Sequence, residues 1–178
     1  MTKIIGCIVD YHNFWLVLLA AMLCLSGSWV TARLFLRMAG TVGGQRYGWL
    51  FMTALAAGVA IWCTHFVAML GYDAGVPIGF DPVMTVVSLL IAVVGSTIGF
   101  MLAGSRWTRF TPAFGGAIVG LAIAAMHYVG MMAYRVQGIV SWNMTYLVAS
   151  IVLSVGLSAL SLHLSLIHIS EPTRRYAI

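Results

Sequence analysis

Two segments of the chain carry the same pair of metal-ligating side chains at the same spacing. The segments are GVAIWCTHFVAMLGY, Gly58 to Tyr72, and GLAIAAMHYVGMMAY, Gly120 to Tyr134. His65 and His127 stand 62 residues apart, and a methionine, Met69 or Met131, follows each of them four residues later. Residues four apart lie on one face of a helix, so each histidine shares a face with its methionine.

The chemistry predicted for these side chains is the binding of a soft metal ion. Imidazole and thioether groups form a ligand set that suits Cu(I), whereas Mg²⁺ and Ca²⁺ require oxygen ligands. Neither side chain adds a formal charge, so such a site is less costly to bury in lipid than a carboxylate site. The predicted copper ligands are His65, Met69, His127 and Met131, with Met126 as a further candidate.

Two neighbours of His127 receive separate predictions. Met126 precedes the histidine and faces about 100° away from it on a helix, so we expect it at a helix interface. Tyr128 is expected to pack at the membrane boundary, with its hydroxyl available to hydrogen-bond a bound ligand.

Two alternatives to a copper site stay open for the histidines. A histidine within a membrane can be held by a hydrogen bond to a neighbouring helix, and methionine, present eleven times, is a common filler of apolar gaps. The repeated pairs would then be purely structural. Alternatively, His65 and His127 would be the two axial ligands of a haem in a membrane electron carrier similar to a cytochrome b, which requires a wide cavity lined by small residues.

The composition places these residues in a membrane. Apolar residues make up 62% of the chain and charged residues 7%, with a mean hydropathy of +1.02, values that exclude a water-soluble domain. The chain is therefore predicted to be an all-α membrane protein with a bundle of five transmembrane helices, because continuous apolar runs of about 20 residues must satisfy their backbone internally. These runs are His12–Leu36, Tyr47–Gly71, Pro82–Gly104, Pro112–Tyr134 and Trp142–His163.

Several functions are disfavoured by what the runs lack. None of them holds an Asp, Glu or Lys in its middle, which counts against a transporter or proton channel. No paired carboxylates and no nucleophile with an adjacent histidine are recognisable. We therefore predict that the chain is not an enzyme and, for want of a basic cluster, that it has no nucleic-acid partner.

The distribution of charge predicts the orientation of the bundle. Arginines flank the first and third connections, whereas the second holds Asp73 and Asp81 and no Lys or Arg. By the positive-inside rule the first and third connections are cytoplasmic. The N-terminus then lies outside, and both histidines lie near the outer membrane face. The cationic residues are Arg33, Arg37, Arg46, Arg106 and Arg109.

The helices are arranged as a repeated pair. The offset of 62 residues also aligns Phe80-Asp81 with Trp142-Asn143, each an aromatic residue followed by a capping side chain that opens a helix; Tyr11-His12 is expected to open the first helix similarly. The third pair would begin at Trp142, so the bundle is predicted to be a fragment of a six- to seven-helix domain with a third histidine motif beyond this sequence.

The last residues are predicted to be foreign to this domain. The segment LSLIHISEPTR, Leu164 to Arg174, resembles a conceptual translation of a sequencing-library adapter. We therefore expect an incomplete transmembrane domain over residues 10–163, a non-native tail over residues 164–178, and a natural protein that continues past His163.

The residues around His127 resemble a known signature. Met126-His127-Tyr128, followed by Gly130-Met131, is similar to the motif of the MHYT domain, whereas the first copy has Thr64 and Phe66 beside His65. The resemblance covers residues 10 to 163 and implies a multi-pass sensor of the bacterial inner membrane with three motif copies. It also implies a cytoplasmic output domain, such as a cyclic-di-GMP enzyme, and a proposed response of bound copper to O2, CO, NO or redox state.

Overall fold

The computed structural model describes residues 12–73, 75–105, 108, 110–136 and 142–175, with side chains as far as residue 165. The predictions made for Tyr11, Arg106 and Arg109 lie outside the described residues.

Five long helices form the described structure. All five are long and apolar enough to cross a membrane, the last of them over Met144–Ser165. The prediction of an all-α membrane bundle is thus confirmed. The helices are α1 (Phe14–Gly40), α2 (Gln45–Leu70), α3 (Pro82–Ala103), α4 (Thr111–Ala133) and α5 (Met144–Arg175), and two short strands are β1 (Ile78–Phe80) and β2 (Tyr134–Val136).

Helices adjacent in sequence pack against each other, from α1 on α2 to α4 on α5. Small residues let the backbones approach closely. A Cβ atom added at Gly116 would lie 2.7 Å from the Cα atom of Ala159, and one added at Gly120 would lie 2.6 Å from the Cα atom of Val155. The backbone of α5 therefore packs directly against these two glycines of α4, as expected for helix pairs that pack in lipid through small residues.

The two ends of the bundle differ in chemistry. At the arginine end, where α1 and α3 finish, Phe35 and Phe100 pack with ring centroids 5.4 Å apart in a buried apolar cluster, and the Arg46 guanidinium donates to the carbonyl of Gly104. At the opposite, histidine end, α2 and α4 finish five and six residues after His65 and His127.

Side-chain caps open three of the helices. Asp81 accepts from the backbone N–H groups of Val83 and Met84, and Asn143 accepts from that of Thr145, as the repeat predicts. The expectation for α1 is corrected: its cap is Asn13, whose side chain accepts from the backbone of Trp15. An Asn carbonyl can satisfy these N–H groups at the first turn.

A two-stranded antiparallel sheet joins the two connections at the histidine end. Ile78, Gly79 and Phe80 pair with Val136, Arg135 and Tyr134. The Asp81 N–H donates to the carbonyl of Ala133 at 2.8 Å, and Asp81 forms an ion pair with Arg135. The Met84 backbone N–H and the Arg135 side chain hold the pKa of Asp81 below its ordinary value. We call strands β1 and β2 with the Asp81–Arg135 pair the clasp.

Candidate metal site between the repeated helices

The two repeated histidines meet between α2 and α4, near the histidine end of the bundle. The Nδ1 atoms of His65 and His127 lie 3.3 Å apart, and their ring centroids are 4.8 Å apart with the rings inclined at 71°. The fold therefore brings together two side chains that are 62 residues apart in the sequence.

A glycine on α4 makes room for the imidazole of His65. A Cβ atom at Gly130 would lie 2.6 Å from His65 Nε2 and 3.0 Å from its Cδ2 atom. Gly130 is one helical turn after His127, so it lies on the same side of α4. The absence of a side chain there lets the ring of His65 rest directly on the α4 backbone.

A tryptophan fixes the motif-bearing end of α2 on α3. The Trp62 indole N–H donates to the Thr85 carbonyl at 3.2 Å and to the Ser88 hydroxyl at 3.1 Å. Ser88 is fully buried, where an unmade hydrogen bond is costly. Trp62 also packs on Phe66 with centroids 4.7 Å apart, so the turn that carries His65 is held on two sides.

Aromatic rings enclose the histidine pair. Phe66 packs edge-on against His65 at 5.1 Å between centroids and against Phe80 of β1 at 5.5 Å. Tyr128 packs edge-on against His127 at 5.1 Å and its hydroxyl bonds to that of Ser150 on α5. The clasp and α5 thus support the two aromatic rings that contact the histidines.

The hydrogen bonding of the pair is incomplete. A contact between two imidazole nitrogens is a hydrogen bond only when one carries a proton and the other a lone pair. The Nε2 atom of His65 is buried and has no hydrogen-bond partner among the described residues. Within that part of the chain, no group of three or more His, Cys, Asp or Glu side chains surrounds a common point.

A cavity of about 780 Å³ lies beside the pair. Its walls come from α1, α2, α4 and α5, with Phe100 of α3, and His65, His127, Met126 and Tyr128 all line it. Met126 is only 1% exposed.

The other two predicted thioethers lie elsewhere. Met69 and Met131 are half-buried and, among the described residues, are not part of the lining of this cavity. Of the predicted set, the structure therefore gathers both histidines, Met126 and Tyr128 around one space.

Hydroxyl groups in the cavity were missed by the sequence reasoning. Thr31 and Thr64 line it, and both hydroxyls are buried without a hydrogen-bond partner among the described residues. A row of serines on α5 completes one wall, comprising Ser150, Ser154, Ser158, Ser161 and Ser165. The spacing of three and four residues between these serines was the signal that identifies them as one helical face.

A family model described as the bacterial signalling protein N-terminal repeat, MHYT, matches residues 58–116 and again residues 120–177. The chain belongs to the MHYT family. The two matches start close to the two histidine-bearing segments, so the internal repeat seen in the sequence is the repeat of the family.

Relatives of this MHYT chain are larger signalling proteins. An uncharacterised signalling protein of Caulobacter vibrioides is 40% identical over 154 residues, which is 86% of this chain and 19% of that protein. The bifunctional diguanylate cyclase/cyclic di-GMP phosphodiesterase MucR of Pseudomonas aeruginosa is 32% identical over 87% of this chain and 23% of its own length. The cyclic di-GMP phosphodiesterase NbdA of the same organism is 36% identical over 61% of this chain and 14% of its own.

The chain spans about a fifth of the length of the curated relatives it matches over most of its own length. No solved structure matches it.

Proposed function

We propose that the chain is the membrane sensor module of a bacterial signalling protein, and that it binds a copper ion between His65 and His127. The change sensed would be the binding of O2, CO or NO, or a change of redox state. The change would alter the packing of α2 and α4 and be passed to a cytoplasmic output domain.

The observation that carries the proposal is the distance between the two Nδ1 atoms. Imidazole nitrogens bind a first-row metal ion at about 2.0 Å, and two such ligands at a tetrahedral angle are about 3.3 Å apart. The observed separation is 3.3 Å. The pair as it stands therefore has the spacing of two ligands of one tetrahedral ion, without a change of backbone.

The surroundings of the pair favour a soft, weakly charged ion. The lining of the cavity contains no carboxylate among the described residues, and a thioether, Met126, shares that lining with both histidines. A His₂ set completed by a thioether suits Cu(I) better than the hard divalent cations. When bound, copper would supply a centre able to coordinate a diatomic ligand and to change oxidation state, and the rings of Phe66 and Tyr128 would pack beside it.

The same distance argues against haem in this arrangement. Axial ligands bind from opposite faces of the macrocycle, which puts their nitrogens about 4 Å apart, at two bond lengths of about 2.0 Å. The observed 3.3 Å between Nδ1 atoms is shorter than this, so a flat porphyrin does not fit between those two atoms. The adjacent cavity is large, but the histidines face each other rather than its two sides.

The output proposed for the full-length protein is cyclic-di-GMP turnover. Support comes from the names of the relatives MucR and NbdA, whose lengths far exceed the matched region. The proposed setting is the bacterial inner membrane with the N-terminus and the histidine end outside, since arginines are gathered at the opposite end.

The test is the metal content of protein purified from copper-replete cells. We expect close to one copper per chain, and we expect His127→Ala and His65→Ala to lose it. His163→Ala is the matched control, because His163 stacks on Phe110 and does not line the cavity. Substitution of Met126, Met69 and Met131 by leucine, one at a time, separates the thioethers, and Met126→Leu is expected to weaken copper binding most.

Two outcomes would overturn the proposal. An unchanged copper content in His127→Ala would show that His127 is not a copper ligand. A Soret band in the purified protein would show that the bound cofactor is haem and not copper.

A further inference from the structure

Two arginines at the arginine end have no role in the proposed sensor. Arg33 and Arg37 are four residues apart on α1, on one face of the helix, and both are exposed. The Arg33 guanidinium carbon lies 4.7 Å from the ring centre of Trp29, and that of Arg37 lies 5.3 Å from the ring centre of Trp49 on α2. Each cation is thus positioned by an indole.

Stacking leaves the hydrogen-bond donors of a guanidinium available. The group is planar, and its five N–H donors point outward in that plane, so a ring beneath its face does not occupy them. The ion pair found among the described side chains, Arg135 with Asp81, is at the histidine end. Asp73 also lies there, on the connection after α2. Arg46, the neighbouring cation, is committed to the Gly104 carbonyl.

Arg33 and Arg37 lie along α1 at the depth where lipid headgroups are found in a bilayer. Arg33 lies seven residues before the last residue of α1, a rise of about 10 Å, so the pair covers the depth between the apolar span and water. Trp29 is 63% exposed, and indoles collect at this boundary of a bilayer. Apolar side chains of α1 that precede the arginines, including Leu25 and Val30, are exposed where acyl chains would lie.

We propose that Arg33 and Arg37 form a binding site for the phosphate of an anionic phospholipid. Among the described side chains neither arginine has a carboxylate partner, and guanidinium groups bind phosphate oxygens through paired N–H donors. Cβ atoms four residues apart on a helix are about 5–6 Å apart, so both side chains can reach one phosphodiester. The exposed apolar surface of α1 makes the ligand a lipid rather than free phosphate. This site is independent of copper binding.

The experiment is native mass spectrometry of the detergent-purified chain titrated with phosphatidylglycerol or phosphatidylcholine. Two cationic contacts predict a preference for phosphatidylglycerol of about 30-fold. In Arg33→Gln/Arg37→Gln this preference should fall to near unity. Arg135→Gln, which removes a cation from the other end, should keep it.

Three results would overturn the proposal: no lipid preference in the wild-type chain, a preference retained in the double variant, or complete displacement of bound lipid by excess inorganic phosphate. If the double variant does not fold, the proposal is tested by the salt dependence of lipid binding to the wild-type chain. Its preference for phosphatidylglycerol should decline as salt is raised, because the contact is exposed to screening, and a preference insensitive to salt would contradict an arginine–phosphate site.

Discussion

Replacing Gly130 with alanine tests whether close packing on α4 sets the position of His65. A Cβ atom at this position would lie 2.6 Å from His65 Nε2, whereas ordinary contacts of Cβ atoms begin near 3.4 Å. The imidazole must therefore move by about 0.8 Å, the difference between these two distances. A ligand set tolerates about 0.5 Å of displacement, so we expect the variant to bind copper at least tenfold more weakly.

The same change has a predictable effect on stability. Forcing a methyl group into a packed interior costs about 1–3 kcal/mol, and replacing a glycine within a helix by alanine returns about 0.5–1 kcal/mol. The net expectation for Gly130→Ala is a loss of between about 0 and 2.5 kcal/mol. Gly48→Ala in α2 is the matched control, since a Cβ atom there meets nothing within 4 Å, and it should be neutral or stabilising.

The assays are thermal unfolding followed by circular dichroism in detergent, and copper affinity measured by competition with a chelator. If Gly130→Ala unfolds at or above the temperature of Gly48→Ala and keeps its copper affinity, the reasoning from glycine packing to histidine position is refuted. A loss of stability with unchanged copper affinity would retain the packing argument and reject the link to the metal.

Two further predictions concern the helices and the clasp. Gly120→Ile should separate α4 from α5, because a Cβ atom there already lies 2.6 Å from the Val155 backbone. We expect a loss of stability of about 1–3 kcal/mol or more in the same thermal assay. An unchanged melting temperature would contradict the packing of α5 against Gly120. The clasp should weaken in acid. The pKa of Asp81 is lowered in the folded chain from 3.8, so its contribution to stability is complete above about pH 4 and is lost as the pH falls through the lowered value. Asp81→Asn should lack that part of the acid dependence, and identical pH profiles of wild type and variant would count against the ion pair with Arg135.

Much of the fold was predictable because few backbone structures can satisfy their hydrogen bonds within a lipid bilayer. Five apolar runs of sufficient length require five helices, and Asp81 and Asn143 identify where two of them begin. The ends of the helices were less certain, since capping at Asn13 rather than at the preceding residues depends on which side chain reaches the first-turn N–H groups. The sheet between Ile78–Phe80 and Tyr134–Val136 had no signal in the sequence, because its strands are only three residues long and pair across 54 or more residues.

The sequence by itself determined that His65 and His127 recur at equivalent positions near the ends of two membrane helices, since periodicity and hydropathy are local properties of the chain. It also determined the concentration of arginines at one end. Only the tertiary structure decided that the two Nδ1 atoms lie 3.3 Å apart and that Met126, rather than Met69 or Met131, shares their cavity. The physical reason is that helix rotation and approach are set by contacts between helices, here by Gly130 under one imidazole and by Gly116 and Gly120 under α5, and such contacts are not encoded in the period of any single helix.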